Sequence, residues 1–185
     1  MKTALDRPRG YPGDYQLFEI IYRNKAITGG TGLFWDKYFL GNSYTRAVRS
    51  RKNKMKSVLK SFIKSSDSTC LKLLNVACGA CKEIRELSSD PLFLKKKVIF
   101  TGLDNDEGAL EYSKEALSKL PSNIETRFIK ENVLNLFKDE KYYHVLGKQN
   151  IIYILGLTEY LPDRVFKKLL RFLFDLLEPK GMLVI

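Results

Sequence analysis

The chain has 185 residues, 44% of them hydrophobic, and a formal net charge of +11. That length suits one domain with an N-terminal extension, and the apolar fraction is enough for a sizeable core. No apolar run approaches the length of a membrane span, and the stretch from Met1 to Pro8 lacks a signal-peptide apolar region, so a cytoplasmic protein without a membrane span is expected. Cys70, Cys78 and Cys81 have no second cysteine or histidine pair beside them, so no metal site is expected. The C-x-x-C of Cys78 and Cys81 reads either as redox chemistry or as small residues in a turn of a reduced protein.

Tyr11-Pro12-Gly13-Asp14-Tyr15 is a turn into a helix from Asp14 to about Ala26, with Asp14 its N-cap and Leu17, Ile20 and Ile21 on one face. Thr28 to Gly32 is a flexible turn, and Phe34 to Leu40 a short aromatic helical piece. Arg46, Arg49, Arg51, Lys52, Lys54, Lys56, Lys60 and Lys64 then share one amphipathic helix with an apolar stripe of Val48, Met55, Val58, Leu59 and Phe62. Its charge is either a solvated face or an attraction for anions: nucleic acid, an anionic lipid head group or an acidic acyl substrate. Next come strand 1 (Lys72 to Val76), a helix from about Lys82, strand 2 (Val98 to Leu103) and a helix from Asp106 to Leu120. Strand 3 runs from Glu125 to Ile129 and strand 4 from Asn150 to Leu155. Pro162 opens a helix with Val165, Leu169, Leu170, Leu173 and Leu177 on its buried side. Glu178 to Gly181 stops it, and Met182 to Ile185 begins strand 5. Alternating strands and helices predict a doubly wound, mostly parallel α/β sheet over residues 67–185, preceded by a helical extension over residues 1–66.

The most informative stretch is Asn75-Val76-Ala77-Cys78-Gly79-Ala80-Cys81-Lys82. An apolar strand enters a turn of small residues and a helix follows, which brings backbone N–H groups close to a ligand. Strand 2 ends at Asp104, an acid able to accept both hydroxyls of a ribose. The dinucleotide pattern G-x-G-x-x-G would put Lys82 on its third glycine. The shorter G-x-G-x-G spacing puts the small residues Ala77, Gly79 and Cys81 on its three positions, the turn of S-adenosylmethionine (SAM) methyltransferases. A structural strand-to-helix turn in another α/β domain is the alternative.

Arg9-Gly10-Tyr11-Pro12-Gly13-Asp14-Tyr15, the basic helix, Asn75 to Gly79, and Ile154-Leu155-Gly156-Leu157-Thr158-Glu159-Tyr160-Leu161-Pro162-Asp163 occur in a recognisable order. In that order the chain resembles the Rossmann-like class I methyltransferases of the extracellular-factor 3-hydroxypalmitic acid methyl ester biosynthesis family. The resemblance implies SAM as cofactor, S-adenosylhomocysteine as product and O-methylation of a small carboxylic acid, fatty or hydroxy-fatty. It also implies site roles. Asn75 contacts the SAM amino group, Ala77 and Gly79 let the backbone approach the methionine part, and Asp104 holds the ribose. Asn105 borders the adenine, and Asn132 accepts from the adenine amino group. Gly156 and Leu157 line the cofactor near the methyl group, and Glu159 and Tyr160 face the acceptor as catalytic candidates. Tyr11 and Tyr15 either pack as core aromatics or close over the sulfonium.

A carboxylate acceptor needs no general base, so His144, expected in a polar loop before strand 4, is read as a surface residue. Such folds add two more strands, so the sheet is expected to be C-terminally truncated, with strand 5 an exposed apolar edge that invites pairing in a homodimer. Alternative functions are RNA or protein methylation, suggested by the basic helix, and non-catalytic SAM binding, suggested by the single glycine of the motif.

Overall fold

The computed structural model describes residues 14–185. They divide into two compact units, one ending at Val58 and the other beginning at Leu59.

The first unit is helical. Helix α1 (Tyr15–Arg23) starts where the Asp14 carboxylate accepts the Leu17 N–H at 2.9 Å and stops at Asn24 in left-handed geometry (φ 50°). The sequence carried this helix to Ala26. Leu17 and Ile21 pack with Val48 of the long helix α3 (Ser43–Ser65). Helix α2 (Thr31–Gly41) is fastened at Asp36, whose carboxylate accepts from the backbone N–H groups of Ile27 and Thr28 and from the Thr28 hydroxyl. The stretch expected to be a flexible turn is therefore tied down by one carboxylate. In α3, Val48, Met55 and Leu59 are buried and Val58 and Phe62 half-buried. Part of the basic charge has structural work: Arg49 donates to the Leu40 carbonyl and Lys52 lies over the Tyr22 ring, while in the last turns of α3, which belong to the second unit, Lys60 pairs with Asp90 at 2.6 Å.

The second unit is a five-stranded sheet in the order β3-β2-β1-β4-β5. The strands are β1 (Cys70–Val76), β2 (Lys97–Asp104), β3 (Ile124–Lys130), β4 (Gln149–Ile154) and β5 (Leu177–Val184), and every neighbouring pair is parallel. Helices α4 (Lys82–Leu87), α5 (Pro91–Leu94), α6 (Glu107–Ala116), α7 (Val133–Leu136), α8 (Lys141–Leu146) and α9 (Asp163–Asp175) connect them. Residues of β1 alternate between the two faces. Leu74 and Val76 join Ile152, Ile154, Leu169, Phe172 and Leu173 in one buried cluster. Leu71, Leu73 and Asn75 point the other way and are equally buried. Burial on both faces is why these strands read as near-continuous apolar runs.

Three expectations need correction. Residues 178–181 do not lie outside regular structure. They bulge within β5, because Leu177 pairs with Gln149 and Met182 with Ile151. Lys180 has φ 64°, and a Cβ on Gly181 would lie 2.8 Å from the Glu178 carbonyl oxygen. Leu177 consequently belongs to β5 rather than to the buried side of the preceding helix, where Phe172 takes its place. His144 lies in helix α8, exposed, and not in a loop.

Candidate functional site

Strand order runs outward from β1 to β2 and β3 on one side and from β4 to β5 on the other. In an open α/β sheet the crevice outside the carboxyl ends of the strands at such a reversal is where ligands bind. Two loops leave the sheet at that end: residues 77–81 after β1, and the turn at Gly156 after β4.

The first loop has unusual backbone geometry. Ala77 has φ 56°, Gly79 φ 50° and Cys81 φ 49°. These are the three positions that the G-x-G-x-G spacing assigns to glycine. Left-handed geometry costs an L-residue roughly 1–2 kcal/mol, and two of the three residues here carry a Cβ. Of the four non-glycine residues with positive φ among the described residues, two lie in this loop. Strain of that kind persists only where surrounding contacts over-determine it, and it concentrates at ligand clamps.

Those contacts are explicit. The Cys78 N–H donates to the Leu103 carbonyl at 3.0 Å, extending the β1–β2 ladder into the loop. The Gly79 N–H donates to Asp104 Oδ2 at 2.8 Å, and its carbonyl accepts from the fully buried Ser113 hydroxyl at 2.8 Å. Asp104 Oδ1 accepts the Asp106 N–H at 2.9 Å. Burial raises the Asp104 pKa, against the lowering effect of the Asp106 and Gly79 N–H bonds. Asp104 therefore anchors the loop as well as standing at the end of β2. The Asn105 N–H adds a third backbone hydrogen bond to this carboxylate, and of its roughly four acceptor positions about one is left for an incoming hydroxyl. Behind the loop, a Cβ on Gly102 would lie 3.0 Å from Cys78 Sγ and from the Phe128 ring, so only glycine lets β2 approach this closely.

At the strand end before the loop sits a buried polar cluster. Glu83, in the first turn of α4, accepts from Asn75 Nδ2 and from the Tyr153 hydroxyl, both at 2.8 Å on Oε1. Asn75 Oδ1 is buried and has no partner among the described residues. Burial first, and then the Glu83 charge, push the Tyr153 pKa well up. The Cys78 thiol is likewise pushed well up, by its hydrogen bond with Cys81 and by burial. Both cysteines are free thiols. A protonated, buried thiol is the opposite of a reactive one, and this favours the reading of Cys78 as a small residue of a turn.

The other candidates divide. Asn105 is exposed after β2, and Asp106 caps α6 by accepting from Gly108 and Ala109. Asn132 is exposed and uses its amide oxygen to cap α7 through the Leu134 N–H. Beside it Glu131 accepts from Tyr142, Asn135 and the Asn132 N–H, and the Tyr142 hydrogen bond leads in lowering its pKa. Gly156 (φ 79°) and Leu157 are half-buried past β4. Glu159 and Tyr160 lie exposed on the 3-10 turn Thr158–Tyr160. Tyr15 opens α1 in the other compact unit, and Tyr11 lies outside the described residues. Sequence reasoning missed Glu83, Tyr153, Gly102 and Ser113. Only Gly102 left a signal, as a lone glycine inside a strand pattern.

No protein-family model matches the chain, and no curated protein matches it. Solved structures do. A possible exported protein from Bordetella parapertussis is similar at 18% identity and TM-score 0.72, over 92% of this chain and 53% of that one. The (4+2)-cyclase SpnF is similar at 12% identity and TM-score 0.52, over 77% of this chain and 46% of that one. PKMT2 from Rickettsia typhi, in complex with AdoHcy, has 27% identity and TM-score 0.46, over 61% of this chain and 20% of that one. The chain thus spans about half or less of the length of these proteins. The first two similarities establish the α/β fold. They do not establish a chemistry, because one fold carries many.

Proposed function

We propose that this chain binds S-adenosylmethionine and belongs to a methyltransferase. One observation carries the reading: left-handed geometry at Ala77, Gly79 and Cys81, in a loop tied to the acid that ends β2. The bound AdoHcy of a solved protein of similar architecture is consistent with it, as is the order of motifs along the chain.

Bound SAM would supply a methyl group already activated on a positively charged sulfur, so the protein has to position and shield rather than activate. In this reading Asp104 accepts the ribose hydroxyls, Asn75 accepts from the ammonium of the methionine part, and the backbone from Ala77 to Cys81 gives close approach. Asn105 and Asn132 border the adenine, and Gly156 and Leu157 line the methyl-bearing side. Glu159 and Tyr160 face the acceptor. The acceptor class is a small carboxylic acid, fatty or hydroxy-fatty, on the strength of the motif resemblance. Such a carboxylate is ionised at neutral pH and needs no general base.

A second reading, methylation of RNA or protein, is favoured by the exposed cations Arg46, Lys54 and Lys64 of α3. Calorimetry with S-adenosylhomocysteine and with NAD tests the cofactor: the first binds and the second does not. Tight NAD binding overturns the reading. Transfer of labelled methyl from SAM to a hydroxy-fatty acid, set against transfer to RNA or protein, separates the acceptor classes.

A further inference from the structure

Glu83, Asn75 and Tyr153 form a buried polar cluster. Asn75 and Tyr153 are register partners in β1 and β4, so their side chains share one face of the sheet at the strand-order reversal. Glu83 reaches them from the first turn of α4, only 4% exposed. A carboxylate offers only acceptors. Its contact with Asn75 therefore has to use Nδ2, and the amide cannot turn over without setting oxygen against oxygen. The Tyr153 hydroxyl donates to the same Glu83 oxygen. The remaining Asn75 atom, Oδ1, is thereby fixed as an acceptor. It is sealed from water and lacks a donor among the described residues. An unpaired buried acceptor is destabilising by roughly 1–3 kcal/mol, a loss that a donor on a ligand would recover.

Resting on the cofactor reading above, we propose that Glu83 is a positioning residue for the ligand's ammonium group. It locks the Asn75 amide so that Oδ1 is presented as the acceptor, and it adds negative charge behind it.

The test compares two probes. S-Adenosylhomocysteine carries the ammonium, and 5′-methylthioadenosine carries the same nucleoside without it. Glu83→Gln can pair with Asn75 in either orientation, because an amide both donates and accepts. It should weaken S-adenosylhomocysteine binding about tenfold or more, the lower end for a charge-assisted hydrogen bond, and leave 5′-methylthioadenosine unchanged. Adding Asn75→Asp to Glu83→Gln exchanges amide and carboxylate, and it should restore S-adenosylhomocysteine affinity. A merely structural role for Glu83 would weaken both probes alike and would not be rescued. Equal losses, no loss, or failure of the double variant each overturn the proposal while the cofactor reading stands. If the unaltered chain binds neither probe, both fall.

Discussion

The carboxyl ends of β1 and β2 and the carboxyl end of β4 border one crevice but are built in opposite ways. At β1 and β2, Asp104, Ser113 and Leu103 hold the loop through three hydrogen bonds, and Asn75, Glu83 and Tyr153 form a buried cluster at the strand end before it. Past β4, Gly156 and Leu157 are half-buried and Glu159 and Tyr160 stand exposed on a single 3-10 turn. One side is pre-organised at the expense of backbone strain, and the other is open. A ligand recognised through the first side meets fixed geometry, which limits the ordering needed on binding. The second side is free to vary with whatever approaches it.

The largest effect should come from breaking the anchor. Asp104→Ala leaves the half-buried Gly79 and Asp106 N–H groups without their acceptor, and an unmet donor is worth up to roughly 1–3 kcal/mol when fully buried. A loss of about 2–4 kcal/mol in denaturant unfolding is expected, together with loss of S-adenosylhomocysteine binding. Unchanged stability would show that the anchor is idle. The pH dependence has a definite sign. Because burial raises the Asp104 pKa in the folded chain, its contribution is fully present below the ordinary value of about 3.9 and is lost as pH rises through the raised one. Asp104→Asn cannot titrate, so the stability of the unaltered chain relative to this variant should rise as the medium is acidified. Paired melts across that range check the slope.

Next in size is Gly102→Ala, which puts a Cβ against Cys78 and Phe128. Overpacking of this kind is destabilising by roughly 1–3 kcal/mol, and the displaced Cys78 should loosen the loop and weaken ligand binding in the same calorimetric assay. Ala77→Gly works in the other direction. Relief of about 1–2 kcal/mol of left-handed strain is partly offset by about 0.4–1 kcal/mol of added freedom in the unfolded chain. A gain of a few tenths to about 1 kcal/mol is expected, and a loss would mean that the Ala77 methyl packs productively. Smallest is Tyr160→Ala on the open side. Stability should stay within about 0.5 kcal/mol, as for exposed substitutions generally, while turnover on a carboxylic acceptor falls. Unchanged turnover would remove Tyr160 from the acceptor site.

Much of this architecture was legible because it is written in local pattern. Apolar runs bounded by turn residues mark all five strands in order, and their alternation with helices marks a parallel sheet. Small residues at 77, 79 and 81 mark the tight turn, and Asp14 and Asp106 mark helix starts through side-chain oxygens that reach the nearby backbone. These are interactions between residues a few positions apart. What the sequence could not reveal depends on partners brought together by folding. Glu178 to Gly181 has the composition of a stop, yet pairing with β4 draws it into a bulged strand. Asn132 reads as an open acceptor, and only the fold shows that its oxygen also caps α7. Glu83 reads as a helix-surface acid, and only the arrival of Tyr153, 70 residues away, makes it part of that buried cluster. Gly79 shows the same division. Its small size was visible in the sequence, but its hydrogen bond to an acid 25 residues away follows only when β1 and β2 lie side by side.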